Sequence, residues 1–155
     1  MDKLPFERKD KQAIIFIGIQ ASGKSTFYNR LLNYGFYTHI SLDYLHTRYK
    51  ENEKLMDCLS NGKSFVVDNT NPKIEDRKKY IDKGKEYGYH IIGIFFQSIV
   101  KDCIERNEKR GGKVPSKAIA STSNNLQMPS RAEGFDELFF VEIINNEFEI
   151  TKWRE

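Results

Sequence analysis

Cysteine is scarce in this chain of 155 residues: only Cys58 and Cys103 occur, and neither has a second metal-ligand residue at paired spacing. That excludes a disulfide scaffold and argues against a zinc site, leaving two reduced, partly buried thiols as the expectation. No run approaches the 18 apolar residues of a membrane span. The opening segment, residues 1–11, is charged and has no apolar centre, so it reads as a polar lead-in rather than a signal peptide. A cytoplasmic location is the expectation. The excess of base over acid is small, 25 residues against 22, so a phosphate-rich partner is permitted but not demanded. Low-complexity tracts and internal repeats are absent.

With 39% hydrophobic and 30% charged residues, the composition is that of a globular domain. The length suits one domain and is too short for two. Short apolar runs alternate with helical stretches. Residues 13–17, 64–67 and 90–96 read as strands buried on both faces, and residues 38–41 as a shorter one. Helices are expected over residues 24–33, 43–59, 72–87, 99–110 and 116–125. Asn61-Gly62, Gly88 and Gly111-Gly112 are stop signals, Asn71 is an N-cap with Pro72 at the first helical position, and Ser98 is a cap. Residues 139–144 and 148–151 suggest a hairpin about Asn145-Asn146. The alternation implies an α/β three-layer sandwich with a mostly parallel sheet and a small helical lid at about 106–125. On such a sheet, ligands gather at the carboxyl ends of strands, which places Gly18 and Asp68 in one site.

Gly18-Ile19-Gln20-Ala21-Ser22-Gly23-Lys24-Ser25 fits G-x-x-x-x-G-K-[ST] between a strand and a helix, the context that the motif requires. The glycines allow successive N–H groups to converge on phosphate oxygens, and the helix N-terminus adds positive partial charge. Gly18, Gln20, Ala21, Ser22, Gly23, Lys24, Ser25 and Thr26 are therefore the candidate nucleotide-binding residues. Lys24 would serve the β- and γ-phosphates of ATP, and Ser25 a Mg2+ ion. Asp68, at the end of a buried strand, is the second candidate metal ligand, or else a turn aspartate. Ser41 and Asp43 both suit a helix start, so Asp43 is read as an N-cap or as a carboxylate that takes a proton from an attacking hydroxyl. Arg106 and Arg110 lie four apart, so they share a helix face, either as a phosphate clamp or as a solvated basic surface. The aromatic residues Phe135, Phe139, Phe140 and Trp153 are read as packing groups. His39, His46 and His90 are scattered without catalytic or metal spacing.

Taken in order, these motifs resemble the kinase domain of polynucleotide 5′-hydroxyl kinases, across about residues 13–144. The resemblance rests on the P-loop through Phe27, on Ile40-Ser41-Leu42-Asp43, on Val66 through Pro72, on Arg106 to Gly111, and on Ala132-Glu133-Gly134-Phe135. It implies the P-loop NTPase fold and an ATP- and magnesium-dependent phosphotransferase. The acceptor it implies is the 5′-OH of a DNA or RNA end. It implies Asp43 as general base, Lys24, Arg110 and Arg106 as the groups on the transferring phosphates, and Asn69, Thr70 and Asn71 beside Asp43 on the acceptor side. Two positions depart from the family: Leu42 and His46 stand where arginine is common. The Asp-x-Asp-x-Thr phosphatase motif that often accompanies this kinase is absent. The departures at Leu42 and His46 keep a small-molecule acceptor, such as a nucleoside or a nucleotide sugar, open as an alternative. An ATP-binding switch without an acceptor is the second alternative.

Overall fold

Strand β1 (Gln12–Ile17) is buried at every position, and its side chains divide between two cores. Ala13, Ile15 and Ile17 point to one face of the sheet, Ile14 and Phe16 to the other. A strand covered on both faces has no polar side to show, which is why its sequence is a continuous apolar run. The computed structural model describes residues 3–155. Around β1 the sheet is six-stranded, in the order β2-β3-β1-β4-β5-β6, with β2 at Thr38–Ile40, β3 at Phe65–Val67, β4 at His90–Phe96, β5 at Glu137–Ile144 and β6 at Glu147–Lys152. The pairings from β2 through β5 are parallel, and β6 returns antiparallel on β5 through the left-handed pair Asn145-Asn146.

Helices α3 (Arg48–Asn61) and α4 (Ile74–Glu86) cover one face. Leu55, Cys58, Leu59, Tyr80 and Ile81 close that core against the sheet. The other face is covered by α1 (Lys24–Phe27) and the π-helical turn Tyr28–Leu32 that continues it, bringing Phe27, Leu31 and Leu32 onto Phe16 and Phe96. Helix on sheet on helix is the three-layer arrangement expected from the alternation. Two further helices, α5 (Val100–Lys109) and α6 (Ser116–Asn125), lie over the P-loop, joined through Gly111 and Gly112. Cys103 and Ile119 pack there on Ile19. Both cysteines are free and fully buried, rather than partly so.

Several sequence expectations are corrected by local geometry. The helix expected over 43–59 is two: α2 (Leu42–Leu45), then α3, with His46 at φ 68 between them. Ser41, not Asp43, caps α2, accepting from the Asp43 N–H, and Thr47 caps α3. Asn71 is not the cap of α4, because its own φ is 45 and the helix begins after Lys73. Its buried amide instead donates to the Phe16 carbonyl at 2.8 Å. Ser98 does not cap α5 but ties the P-loop to β4: it accepts the Ile19 N–H and donates to the Phe96 carbonyl. The aromatic expectations hold. Phe135 and Phe139 are core, and Trp153 packs on Phe95 and Phe140 while its ring N–H donates to Pro129.

Candidate active site

The P-loop begins where β1 ends. Gly18 donates its N–H to the Thr70 carbonyl at 3.0 Å, stitching the loop to the segment after β3. A Cβ at position 18 would sit 2.7 Å from Ser22 Oγ and 3.0 Å from Phe96 Cβ, so any larger residue would push on the loop and on β4. Gly23, at φ 104, lies in the left-handed region and turns the loop into α1. The Gly18–Asp68 neighbourhood inferred from strand ends is therefore real: β3 is hydrogen-bonded to β1 in parallel.

Lys24 is buried, and its ammonium caps the loop from within. Nζ donates to the carbonyls of Gly18 (3.0 Å) and Ile19 (2.8 Å), with Ser22 Oγ at 3.5 Å. Burial brings its pKa down to about 8, although the charges of Asp68, Cys103 and Asp43 pull the other way. Ser25 donates its hydroxyl to Asp68 Oδ2 at 2.9 Å. His39, on β2, also places Nε2 2.8 Å from that oxygen, with its ring stacked on Tyr28 at 3.9 Å. A hydroxyl and a carboxylate converging beside a lysine form a hard oxygen donor pair that suits Mg2+, whose remaining positions are ordinarily filled by phosphate and water. Among the described residues no group of three or more His, Cys, Asp or Glu side chains is placed to hold a metal ion.

These elements surround one cleft of about 580 Å³. Gln20, Ala21, Gly23, Lys24 and Ser25 form its floor. Leu42, Asp43, Arg48 and Asp68 to Pro72 form one side, and Asn107, Arg110, Lys113 and Val114 of the α5–α6 hairpin the other. The candidate lid arginines part company here. Arg110, which ends α5, lines the cleft and donates to Thr26 Oγ1 at 3.1 Å. Arg106 is turned onto the Ala21 carbonyl at 3.2 Å and is not a lining residue. Gln20 reaches the same hairpin, donating to Thr122 at 3.0 Å. On the opposite side Asn69 holds α2, its Oδ1 accepting the Leu42 N–H at 3.0 Å. Thr70 contributes its backbone carbonyl, and the Asn71 amide is engaged below the cleft.

Residues 14–132 match the family model described as an AAA domain. The chain belongs to that family. Among curated proteins it is 34% identical over 139 residues to the bifunctional polynucleotide phosphatase/kinase of Schizosaccharomyces pombe, covering 84% of this chain and 33% of the relative. It is 31% identical over 141 residues to a putative bifunctional polynucleotide phosphatase/kinase of Acanthamoeba polyphaga mimivirus, covering 86% and 34%. The chain thus spans about a third of the length of these relatives. Their names agree with the resemblance drawn from the motifs. A gluconokinase structure from Sinorhizobium meliloti 1021 shares the fold, with a TM-score of 0.60, 20% identity, and coverage of 87% of this chain and 84% of that one. No helix among the described residues is long and apolar enough to cross a membrane.

Some residues that build the site carried no sequence signal. His39 had no recognisable spacing, because its partner Asp68 lies a strand away. Glu51 and Arg77 fall within the helices expected over 43–59 and 72–87 with nothing to mark them, yet both are fully buried. Arg77 donates to the Asn71, Pro72 and Gln127 carbonyls and pairs with Glu133 at 2.8 Å, fixing the loop that carries Asn69 to Pro72. Arg48 and Glu51, three apart on α3, pair at 2.9 Å.

Proposed function

We propose that this domain transfers the γ-phosphoryl group of ATP, with magnesium, to the 5′ hydroxyl of a nucleic acid end. The observation that carries this reading is the cleft itself, which Lys24, Ser25, Asp68 and Asp43 all line. The polynucleotide acceptor is supported by the two curated relatives. P-loop N–H groups and Lys24 bind the β- and γ-phosphates, and Arg110 reaches in from the α5–α6 lid. Ser25 and Asp68 would hold Mg2+, which supplies charge neutralisation on the phosphate oxygens. Asp43 orients the acceptor hydroxyl in line. The bond from γ-phosphorus to its bridging oxygen breaks, the bond to the acceptor oxygen forms, and the hydroxyl proton passes to the Asp43 carboxylate. The transition state is loose, so placement and electrostatics carry most of the rate. The 1–155 unit acts as one kinase domain in the cytoplasm on this reading.

The test is transfer of label from γ-labelled ATP to a 5′-OH oligonucleotide, DNA and RNA in parallel, with Lys24→Ala as the blank. Label on the 5′ end, absent in the blank, is the expected result. A second reading has the same chemistry acting on a small hydroxylated molecule. It is favoured by Leu42, an apolar side chain on the acceptor wall where the family often has arginine. Transfer to a nucleoside but to no oligonucleotide would establish it.

A further inference from the structure

His39 is the central residue of β2 and registers with Val66 of the parallel strand β3. Side chains alternate along a strand, so Asp68, two residues past Val66, leans toward the same face of the sheet as His39. The backbones are joined at this point, the Asp68 N–H donating to the Ile40 carbonyl at 2.8 Å. α1 and its π-helical continuation cover that face, and two of their residues, three apart, come down on the pair. Ser25 meets Asp68, and Tyr28 meets His39. The four side chains form one closed group between the first helix and the sheet.

Within it the histidine ring is held from two directions. It stacks on Tyr28 at 3.9 Å with 13° between the planes, and Tyr44 of α2 approaches edge-on at 5.5 Å. The ring so placed brings Nε2 to 2.8 Å from Asp68 Oδ2. A carboxylate only accepts, so Nε2 carries the hydrogen and donates it. The same oxygen accepts the Ser25 hydroxyl at 2.9 Å. The Asp68 side chain is only 2% exposed, so these two donors stand in for the water that the oxygen has lost. Without the histidine, Ser25 alone would hold that oxygen, and the carboxylate would have to be ordered again each time a metal arrived. Groups behind a metal-binding carboxylate commonly set its affinity in this way.

We infer that His39 is the positioning residue of the magnesium site: its Nε2–H holds the Asp68 carboxylate against Ser25, and the binding of the metal with its nucleotide depends on that bond. This rests on the reading of Ser25 and Asp68 as the magnesium pair and deepens it, whatever the acceptor.

The experiment is calorimetric titration of a non-hydrolysable ATP analogue, in magnesium and in EDTA, into the wild type, His39→Gln, His39→Asn and His39→Phe. The ratio of the two affinities reads the metal without any turnover. The wild type is expected to bind more tightly in magnesium. His39→Phe keeps a ring for Tyr28 but has no donor, and it should narrow the ratio about tenfold or more with the EDTA affinity unchanged. His39→Asn, whose amide stops at the Nδ1 position, should show the same loss without setting an apolar ring beside a buried carboxylate. His39→Gln carries its amide to the Nε2 position and should recover most of the ratio. The magnesium needed for half-maximal transfer should follow the same order, and unfolding midpoints confirm that each variant is folded. A wild-type ratio in folded His39→Asn or His39→Phe would overturn the inference. So would equal losses in His39→Asn and His39→Gln, which would assign the effect to the ring rather than to the donor. If the wild type itself binds the analogue equally in magnesium and in EDTA, the magnesium pair falls and the inference with it, while transfer to an oligonucleotide is judged separately.

Discussion

Ser25 Oγ donates to Asp68 Oδ2 across 2.9 Å, joining the first turn of α1 to the carboxyl end of β3. The two residues are far apart in sequence, yet they form the oxygen pair on which the proposed magnesium site depends. Asp68→Asn removes the negative charge while keeping the shape. We expect kcat to fall about a hundredfold or more and the magnesium needed for half-maximal rate to rise. Rates measured across a magnesium series check this. Full activity at unchanged magnesium would remove Asp68 from the site.

Asp43 is exposed on α2 and lines the same cleft as Lys24. Asp43→Asn keeps the contacts of α2, since the Ser41 cap takes the Asp43 backbone N–H. Transfer should drop by about two to four orders of magnitude with ATP binding preserved. Single-turnover rates beside an ATP titration separate the two effects. A near-normal rate would place the acceptor elsewhere.

Arg77 and Glu133 form a buried pair at 2.8 Å. Arg77→Met strands a buried carboxylate, so a loss of about 3–5 kcal/mol is expected, read from denaturant unfolding. The double variant Arg77→Met/Glu133→Gln should regain part of that loss. Equal instability of both would trace the damage to the three carbonyls that Arg77 serves rather than to the ion pair.

Alkaline stability follows from two tyrosines. Burial raises the hydroxyls of Tyr37 and Tyr89 from 10 to about 12. A raised folded pKa means that the unfolded chain loses its proton first. Each contribution is whole below pH 10 and is lost as pH climbs to about 12, on the order of 2 kcal/mol per tyrosine. Tyr89, whose hydroxyl sits between the Cys58 and Lys63 carbonyls, gives the cleaner test. The unfolding midpoint of Tyr89→Phe should decline less steeply than the wild type between pH 10 and 12. Parallel slopes would contradict the assignment.

The nucleotide side was legible because its chemistry is local. Gly18 to Ser25 is one uninterrupted stretch, and a phosphate cradle needs consecutive N–H groups, so the motif and the structure coincide. The acceptor side was less so. The break between α2 and α3 depends on His46 adopting a left-handed conformation, which no glycine or asparagine announced. Asn71-Pro72 looked like a helix start because both residue types favour one, but the Phe16 carbonyl needed a donor and took the Asn71 amide instead.

By itself the sequence determined the alternation of buried strands and helices, the P-loop, and the placing of Gly18 and Asp68 at neighbouring strand ends. These follow from hydrophobic periodicity and from a contiguous motif, which short-range physics fixes. Only the tertiary structure decided which charges are buried and whom they serve: His39 on Asp68, Arg77 on Glu133, and Glu51 beneath Arg48. A charged residue in a helix reads the same whether it faces water or the core. The difference lies in partners brought from distant segments, and their bonds are what make burial of the charge tolerable.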